Sequence, residues 1–354
     1  MTGIVHHAGP CPRPDDGSRR TTPHPALSPE GRGQGEGWSG ARRGPAWCTI
    51  PAMSTSPYRF VQVDVFTDRV FGGNPLAVFL DGRGLDPALM QQIAREMNLS
   101  ETVFLFPPTR PDCVAAIRIF TPAREVPFAG HPTIGTTWVL AARGMAPKGA
   151  ARFTLDEKIG PVPIELEGDP GRPSFIWMSQ QDATFDLALE NREAVARALG
   201  LTAADLWPAP IQPGSTGNKF LFVPLRDKAT VDRAVLDVRA MLEAMGERPR
   251  MGIFVFAPDP DAAAGRVYSR MFGPHSSGIP EDPATGSASG PLGAYLVLNG
   301  MVKGSDDVKI VSEQGAKMGR QSFVHIRLAT RGGAVTDIRV GGGVVPVLEG
   351  ELRI

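Results

Sequence analysis

Ile279-Pro280-Glu281-Asp282-Pro283-Ala284-Thr285-Gly286-Ser287-Ala288-Ser289 sets a carboxylate directly before a proline, with Thr, Gly and Ser where a helix is about to begin. Proline suits a first helical turn because its missing N–H would have no intrahelical acceptor there, and it pushes the preceding residue out of the helical region. The pattern predicts Asp282 at a helix N-terminus. Such an end carries partial positive charge and free N–H donors, which favour a carboxylate or phosphate. The stretch has a counterpart in the first half of the chain. Arg118-Ile119-Phe120-Thr121-Pro122 matches Arg270-Met271-Phe272-Gly273-Pro274, and His131-Pro132-Thr133-Ile134-Gly135-Thr136 matches Asp282-Pro283-Ala284-Thr285-Gly286-Ser287, at offsets of 152 and 151 residues. Shared residues in the same order indicate an internal duplication. Two helix N-termini, one led by His131 and one by Asp282, would then face one cleft across a pseudo-twofold axis.

A length of 354 residues suggests two domains, and 42% hydrophobic content is ample for folded cores. Lys+Arg and Asp+Glu balance at 37 each, which gives no sign of a nucleic-acid or membrane surface. No apolar run reaches the length that spans a bilayer. Cys11, Cys48 and Cys113 show no metal-like spacing, and a reducing compartment is the simplest account. Residues 1–53 hold nine Gly and eight Pro, with only Ile4, Val5, Leu27 and Ile50 as aliphatic bulk. Such a segment cannot bury enough apolar surface to offset its ordering entropy, so it is expected to be disordered or to be an extension upstream of a true start at Met53. The remainder divides into an N-terminal domain over 54–175 and a C-terminal domain over 176–354, with the last strand returning to the first domain.

Short strands with Gly and Asn turns predict an α+β fold with two principal helices per half. Tyr58 to Phe66 alternates as a half-buried strand does. Asp86-Pro87 opens a helix through Met97 that leaves at Asn98. Helices are also expected from Pro132 to about Arg143, near Asn191 to Leu199, from Ala229 to Met245, and from Asp282 to about Asn299 with a bend at Gly290-Pro291. An antiparallel run closes the chain from Val308 to Leu348.

Glu101 lies between a helix end and a strand, flanked by Leu99, Val103 and Phe104. Apolar surroundings disfavour the ionised form and bring a carboxyl towards the range in which it can both take and give a proton. From the residues alone, a surface glutamate in a loop is the stronger reading. His131, beside Gly130 and before Pro132, suits a general acid or a donor to a substrate oxygen. Ser287 lacks the Gly-x-Ser-x-Gly elbow of a nucleophile and is better cast as a helix-terminal hydroxyl for a substrate carboxylate. His131, His275 and His325 share no ligand spacing, so no metal site is expected. The one GxGxxG, Gly35 to Gly40, has no strand before it and argues for no nucleotide cofactor.

Phe71-Gly72-Gly73-Asn74-Pro75, Leu99-Ser100-Glu101-Thr102, Ala129-Gly130-His131-Pro132-Thr133-Ile134-Gly135 and Glu281-Asp282-Pro283-Ala284-Thr285-Gly286-Ser287-Ala288 together resemble the PhzF-like isomerases of phenazine biosynthesis, in order and spacing over residues 58–354. The resemblance implies a diaminopimelate-epimerase-like fold, in which two similar domains each wrap a β-barrel-like sheet round a central helix with the active site between them. It also implies a cofactor-free isomerisation of a dihydro-hydroxyanthranilate. Carried over by motif, Glu101 is the acid/base, His131 and Asp282 hold polar groups and assist proton transfer, and Asn74, Gly130, Gly286 and Ser287 bind substrate. Related epimerases use two cysteines, and Cys113 lies outside both motifs. The expectation is a cytoplasmic homodimeric isomerase of a small carboxylate-bearing substrate, without nucleic-acid or membrane partners. An epimerase or racemase of an amino-acid-like substrate and a non-catalytic metabolite-binding protein are the alternatives.

Overall fold

In the first half, β1 (Tyr58–Val65) pairs antiparallel with β2 (Asn74–Phe79), and helix α1 (Pro87–Met97) crosses to β3 (Glu101–Phe106), which lies parallel to β2. β4 (Ala115–Phe120) turns back onto β3, and the two-residue β5 (Glu125–Val126) leads into helix α2 (Gly130–Ala142). β6 (Arg152–Glu157) then lies parallel to β4, and β7 (Gly160–Asp169) and β8 (Arg172–Ser179) follow antiparallel. These elements belong to a computed structural model that describes residues 57–258, 265–273 and 278–354. Residues 1–53, expected to be disordered or an upstream extension, lie outside the described residues, as does Pro274 of the repeated motif.

The second half repeats that order. After β9 (Thr184–Phe185) and α3 (Arg192–Ala198) come β10 (Gln212–Ser215), β11 (Lys219–Pro224), the helices α4 (Lys228–Arg233) and α5 (Val238–Met245), β12 (Gly252–Pro258) and β13 (Arg266–Phe272). β14 (Glu281–Asp282), α6 (Gly286–Leu298), β15 (Val308–Gln314), β16 (Ser322–Arg331) and β17 (Ala334–Gly342) complete it. β11 is parallel to β12, β12 antiparallel to β13, and β13 parallel to β15, as β2, β3, β4 and β6 are in the first half. β8 and β17 pair antiparallel and join the halves into one continuous sheet. β18 (Val344–Leu352) returns to pair with β1, where its register runs from Tyr58 opposite Leu352 to Val65 opposite Val344.

Each half surrounds one helix that carries no charged residue. Ile134, Val139 and Leu140 of α2 and Leu292, Tyr295 and Leu296 of α6 are all buried. A helix apolar all round needs packing on every side, and the curved sheet supplies it. The three Thr of α2 are poor helix formers, yet Thr133 and Thr137 donate their hydroxyls to the carbonyls of Ala129 and Thr133 at 2.8 Å and so bury no free donor.

Several expectations hold in detail. Asp86 caps α1 by accepting from Leu89 N–H at 2.8 Å, and Asn98 leaves it at φ 50. Others need correction. Asp282 does not open a helix: it lies in β14 opposite Met271, and α6 begins at Gly286 after Thr285. The segment from Ala229 to Met245 is two helices, because Asp227 and Asp237 each cap their own first turn and Ala234 leaves the helical region at ψ 128. β8 was not anticipated, since Ile176, Trp177 and Met178 are buried in succession and break the alternation that marks a strand. Phe175 and Ile176, where the sequence reading divides the halves, lie within it.

The repeat is also shifted. Arg118 pairs with Glu125 through two hydrogen bonds of 2.9 Å and stacks on Phe120; Arg270 pairs with Glu281 at 2.8 and 2.9 Å and stacks on Phe272. Glu125 therefore answers to Glu281, Gly130 to Gly286 and His131 to Ser287, an offset of 156. Asp282 answers to Val126, not to His131. The spacing from Phe to Glu is five residues in the first half and nine in the second, so the shared proline turns aligned in the wrong register.

The two helices touch at their starts, where a Cβ on Gly130 would lie 2.6 Å from Gly286 Cα. Backbone cannot yield as a flexible side chain can. Gly130→Ala should therefore cost about 2–3 kcal/mol in urea unfolding, whereas Gly171→Ala, whose Cβ would meet only the Asp169 carboxylate at 3.5 Å, should cost under about 0.5 kcal/mol. Equal midpoints for the two variants would contradict this contact.

Candidate active site

Glu101 begins β3, His131 is the second residue of α2, and Asp282 closes β14, so three different elements bring these side chains together. His131 Nε2 lies 3.3 Å from Glu101 Oε2. On its other side, Asn74 Nδ2 lies 3.1 Å from His131 Nδ1 and donates to Asp282 Oδ1 at 2.8 Å and to the Ala284 carbonyl at 2.9 Å. The Ala284 carbonyl can only accept, which fixes the amide nitrogen in that position. An amide nitrogen has no lone pair to accept with, so the neutral His131 carries its ring proton on Nε2, facing Glu101, and its Nδ1 shares the two Asn74 hydrogens with Asp282 and Ala284. Thr285 Oγ1 donates to Asp282 Oδ2 at 2.6 Å.

Burial sets the charge states. It raises Glu101 well above the usual carboxylate range, and the neighbouring Asp282 carboxylate adds to the rise. Asp282 is raised by burial too, against the hydrogen bonds from Thr285, Ser100 and Asn74. Desolvation lowers His131 to about 3, which leaves the imidazole neutral. The short Glu101–His131 contact is therefore between two neutral groups and is no salt bridge. It is also misaligned: neither atom makes a hydrogen bond within the chain. Of the seven buried side-chain polar atoms among the described residues that lack a hydrogen-bond partner, three belong to Asn74, Glu101 and His131. Buried polar groups are ordinarily satisfied, so this clustering sets the three residues apart from the rest of the core.

Glu101, Asp282, Thr285 and Ser287 line a cavity of about 310 Å³. The first half contributes Val126, Phe128 and Ala129 to it, and the second half Phe220, Met251 and Ile279. Asn74, fully buried, and His131, at 3% exposure, sit behind this lining and act on it through their hydrogen bonds. Gly130 and Gly286 form the seam between the helix starts. Neither α2 nor α6 has a side-chain cap; Pro132 has no N–H and Ala288 N–H donates back to the Thr285 carbonyl at 3.1 Å, which leaves the first-turn N–H groups of Gly130, His131, Gly286 and Ser287 for other acceptors. Gln314 was missed in the sequence. Its amide donates to the Asp282 carbonyl at 2.7 Å and to Thr285 Oγ1 at 3.0 Å, and accepts from Thr285 N–H at 3.0 Å. Nothing in a strand ending Ser312-Glu313-Gln314 distinguishes it. Among the described residues, no cluster of three His, Cys, Asp or Glu side chains is arranged to hold a metal.

A paired-half α+β fold with titratable groups facing a shared cavity defines a class of proton-transferring isomerases and epimerases. Residues 63–350 match the family model described as phenazine biosynthesis-like protein. The trans-2,3-dihydro-3-hydroxyanthranilate isomerase of Pseudomonas aeruginosa is 36% identical over 294 residues, covering 83% of this chain and 98% of that protein. A phenazine biosynthesis protein of the PhzF family from Bacillus anthracis superposes with a TM-score of 0.76 at 28% identity, covering 84% of this chain and 100% of that one. A Pseudomonas aeruginosa structure described as a predicted epimerase superposes at 0.67 with 32% identity, covering 83% and 99%. The chain belongs to the phenazine biosynthesis-like, or PhzF, family and is an isomerase with a diaminopimelate-epimerase-like fold.

A further carboxyl lies beneath the site. Glu157, at 4% exposure, is raised by burial to about 8 although a bond from Thr133 opposes the shift. Thr133 Oγ1 has one hydrogen and two close acceptors, the Ala129 carbonyl at 2.8 Å and Glu157 Oε1 at 2.5 Å. A protonated Glu157 that donates to the hydroxyl resolves this. The unfolded chain ionises near 4.5 and the folded one only near 8, so stability falls as pH rises between these values and then levels. Glu157→Gln should raise the urea midpoint at pH 9 and leave it nearly unchanged at pH 4. The same shift at both would show that Glu157 is not held neutral.

Proposed function

We propose that the protein is a cofactor-independent isomerase that moves a proton between carbons of a small carboxylate-bearing substrate, with trans-2,3-dihydro-3-hydroxyanthranilate as the first candidate. The observation that carries this reading is Glu101, raised by burial, 3.3 Å from a neutral His131 at the wall of a cavity that both halves line. A carboxyl tuned upward is protonated at rest: it can give its proton to one carbon and, as the carboxylate, take one from another, ending each turnover in the form in which it began. His131 Nε2–H supports the carboxylate when it forms, and Asp282 receives a hydroxyl or amino group of the substrate. Ser287 and the uncapped first turns of α2 and α6 suit the substrate carboxylate, since two helix N-termini direct partial positive charge at one place. The name of the Pseudomonas aeruginosa relative supports the substrate class.

Cys113 is the one free cysteine among the described residues and is buried, which suits the reducing cytoplasm as the compartment proposed here. No helix among the described residues is long and apolar enough to cross a membrane.

Glu101→Gln keeps the shape and the hydrogen-bonding capacity but cannot cycle a proton. Turnover of dihydro-hydroxyanthranilate should fall by at least about 10²-fold with substrate affinity nearly unchanged. A variant that turns over at the wild-type rate would remove Glu101 from its role.

A further inference from the structure

Asn74 holds two groups of the site at once, and the segment that delivers it is bent. Phe66, Phe71 and Gly73, all between β1 and Asn74, adopt left-handed backbone conformations at φ 66, 66 and 63. A Cβ on Gly73 would lie 2.2 Å from the Val65 carbonyl oxygen, so only glycine fits there. Left-handed conformations at two phenylalanines are strained, and such a segment persists only when its surroundings over-determine it.

The surroundings come from the other half of the chain. Arg320, in the connection between β15 and β16, donates Nε–H to the Gly73 carbonyl at 2.9 Å and Nη2–H to the Gly72 carbonyl at 2.8 Å. Its Nη2 also meets Asp64 Oδ1. Asp64, 1% exposed, accepts from Phe71 N–H at 2.7 Å through its second oxygen. Gly73 N–H donates to the Gln321 carbonyl at 3.1 Å. The guanidinium fork thus fixes the two carbonyls immediately ahead of Asn74 and ties them to a buried carboxylate. Gln314, six residues before Arg320, holds the Asp282 turn. One stretch of the second half, 314–321, therefore grips both the segment that carries Asn74 and its partner Asp282.

We propose that Arg320 is a positioning residue for proton transfer: through Gly72 and Gly73 it places the Asn74 amide between His131 Nδ1 and Asp282, and so fixes the imidazole tautomer that faces Glu101. This rests on the proposed role of Glu101 and His131. Arg320 acts at a distance from the substrate, so its loss should slow turnover and leave binding nearly intact. A donor displaced by about an ångström can cost on the order of 10²-fold in rate.

Arg320→Lys keeps a cation beside Asp64 but has no planar fork to reach both carbonyls. Two measurements are made on it and on the wild type: steady-state kinetics with trans-2,3-dihydro-3-hydroxyanthranilate, and ¹⁵N NMR of the His131 ring in ligand-free protein. The expected result is a fall in kcat of roughly 10–100-fold with KM within about threefold, and movement of the His131 signals from a single Nε2–H tautomer towards a mixture. Unchanged His131 signals, or kcat within about twofold of wild type, would overturn the proposal. Failure of the wild type to turn over the substrate would count against the proposed reaction, while the NMR comparison, which needs no substrate, would still decide the role of Arg320. If Arg320→Lys does not fold by circular dichroism, Asp64→Asn, which releases the guanidinium from its anchor, takes its place with the same two outcomes.

Discussion

The approach of two helix starts, Gly130 against Gly286, is the constraint on which the rest depends. A single added carbon on Gly130 would lie 2.6 Å from the opposing backbone. At that separation the uncapped first turns of α2 and α6 share one small volume, and His131 and Ser287, each the second residue of its helix, come within reach of the same cavity. The sheet that wraps each helix exists to bury a fully apolar cylinder, but its closure is also what forces the two ends together. Stability and site geometry are therefore set by the same packing.

Within the cavity, burial rather than ion pairing governs the chemistry. Glu101, His131 and Asp282 have no cation among their hydrogen-bond partners, and desolvation is the largest influence on each. Desolvation raises carboxyls and lowers imidazoles, so all three move towards neutrality together. With Glu101 and His131 both held neutral, their contact needs no counter-charge. The Asn74 amide is the element that makes this arrangement specific, because its two hydrogens serve acceptors on both halves of the chain.

Local chemistry was legible in the sequence and long-range geometry was not. The Asp86 cap and the Asn98 exit follow from residues within one turn of each other. The repeat of Arg118 and Phe120 as Arg270 and Phe272 was visible because it is short and chemically distinct. The pairing of His131 with Asp282 failed because four additional residues separate Phe272 from Glu281, and a shared proline turn is a weaker register mark than the Arg–Glu pair that the sheet imposes. Arg320 and Gln314 stayed hidden because their partners lie 248 and 32 residues away in the chain, a separation at which no periodicity carries information.

The central claim is that this cavity moves a proton between carbons of one substrate. NMR of trans-2,3-dihydro-3-hydroxyanthranilate incubated with the protein in deuterated water tests it most directly. The account predicts an isomerised ring that gains deuterium at a carbon that bore no such hydrogen before. Inversion at one carbon with the ring double bonds in place, or binding without any exchange, would contradict it.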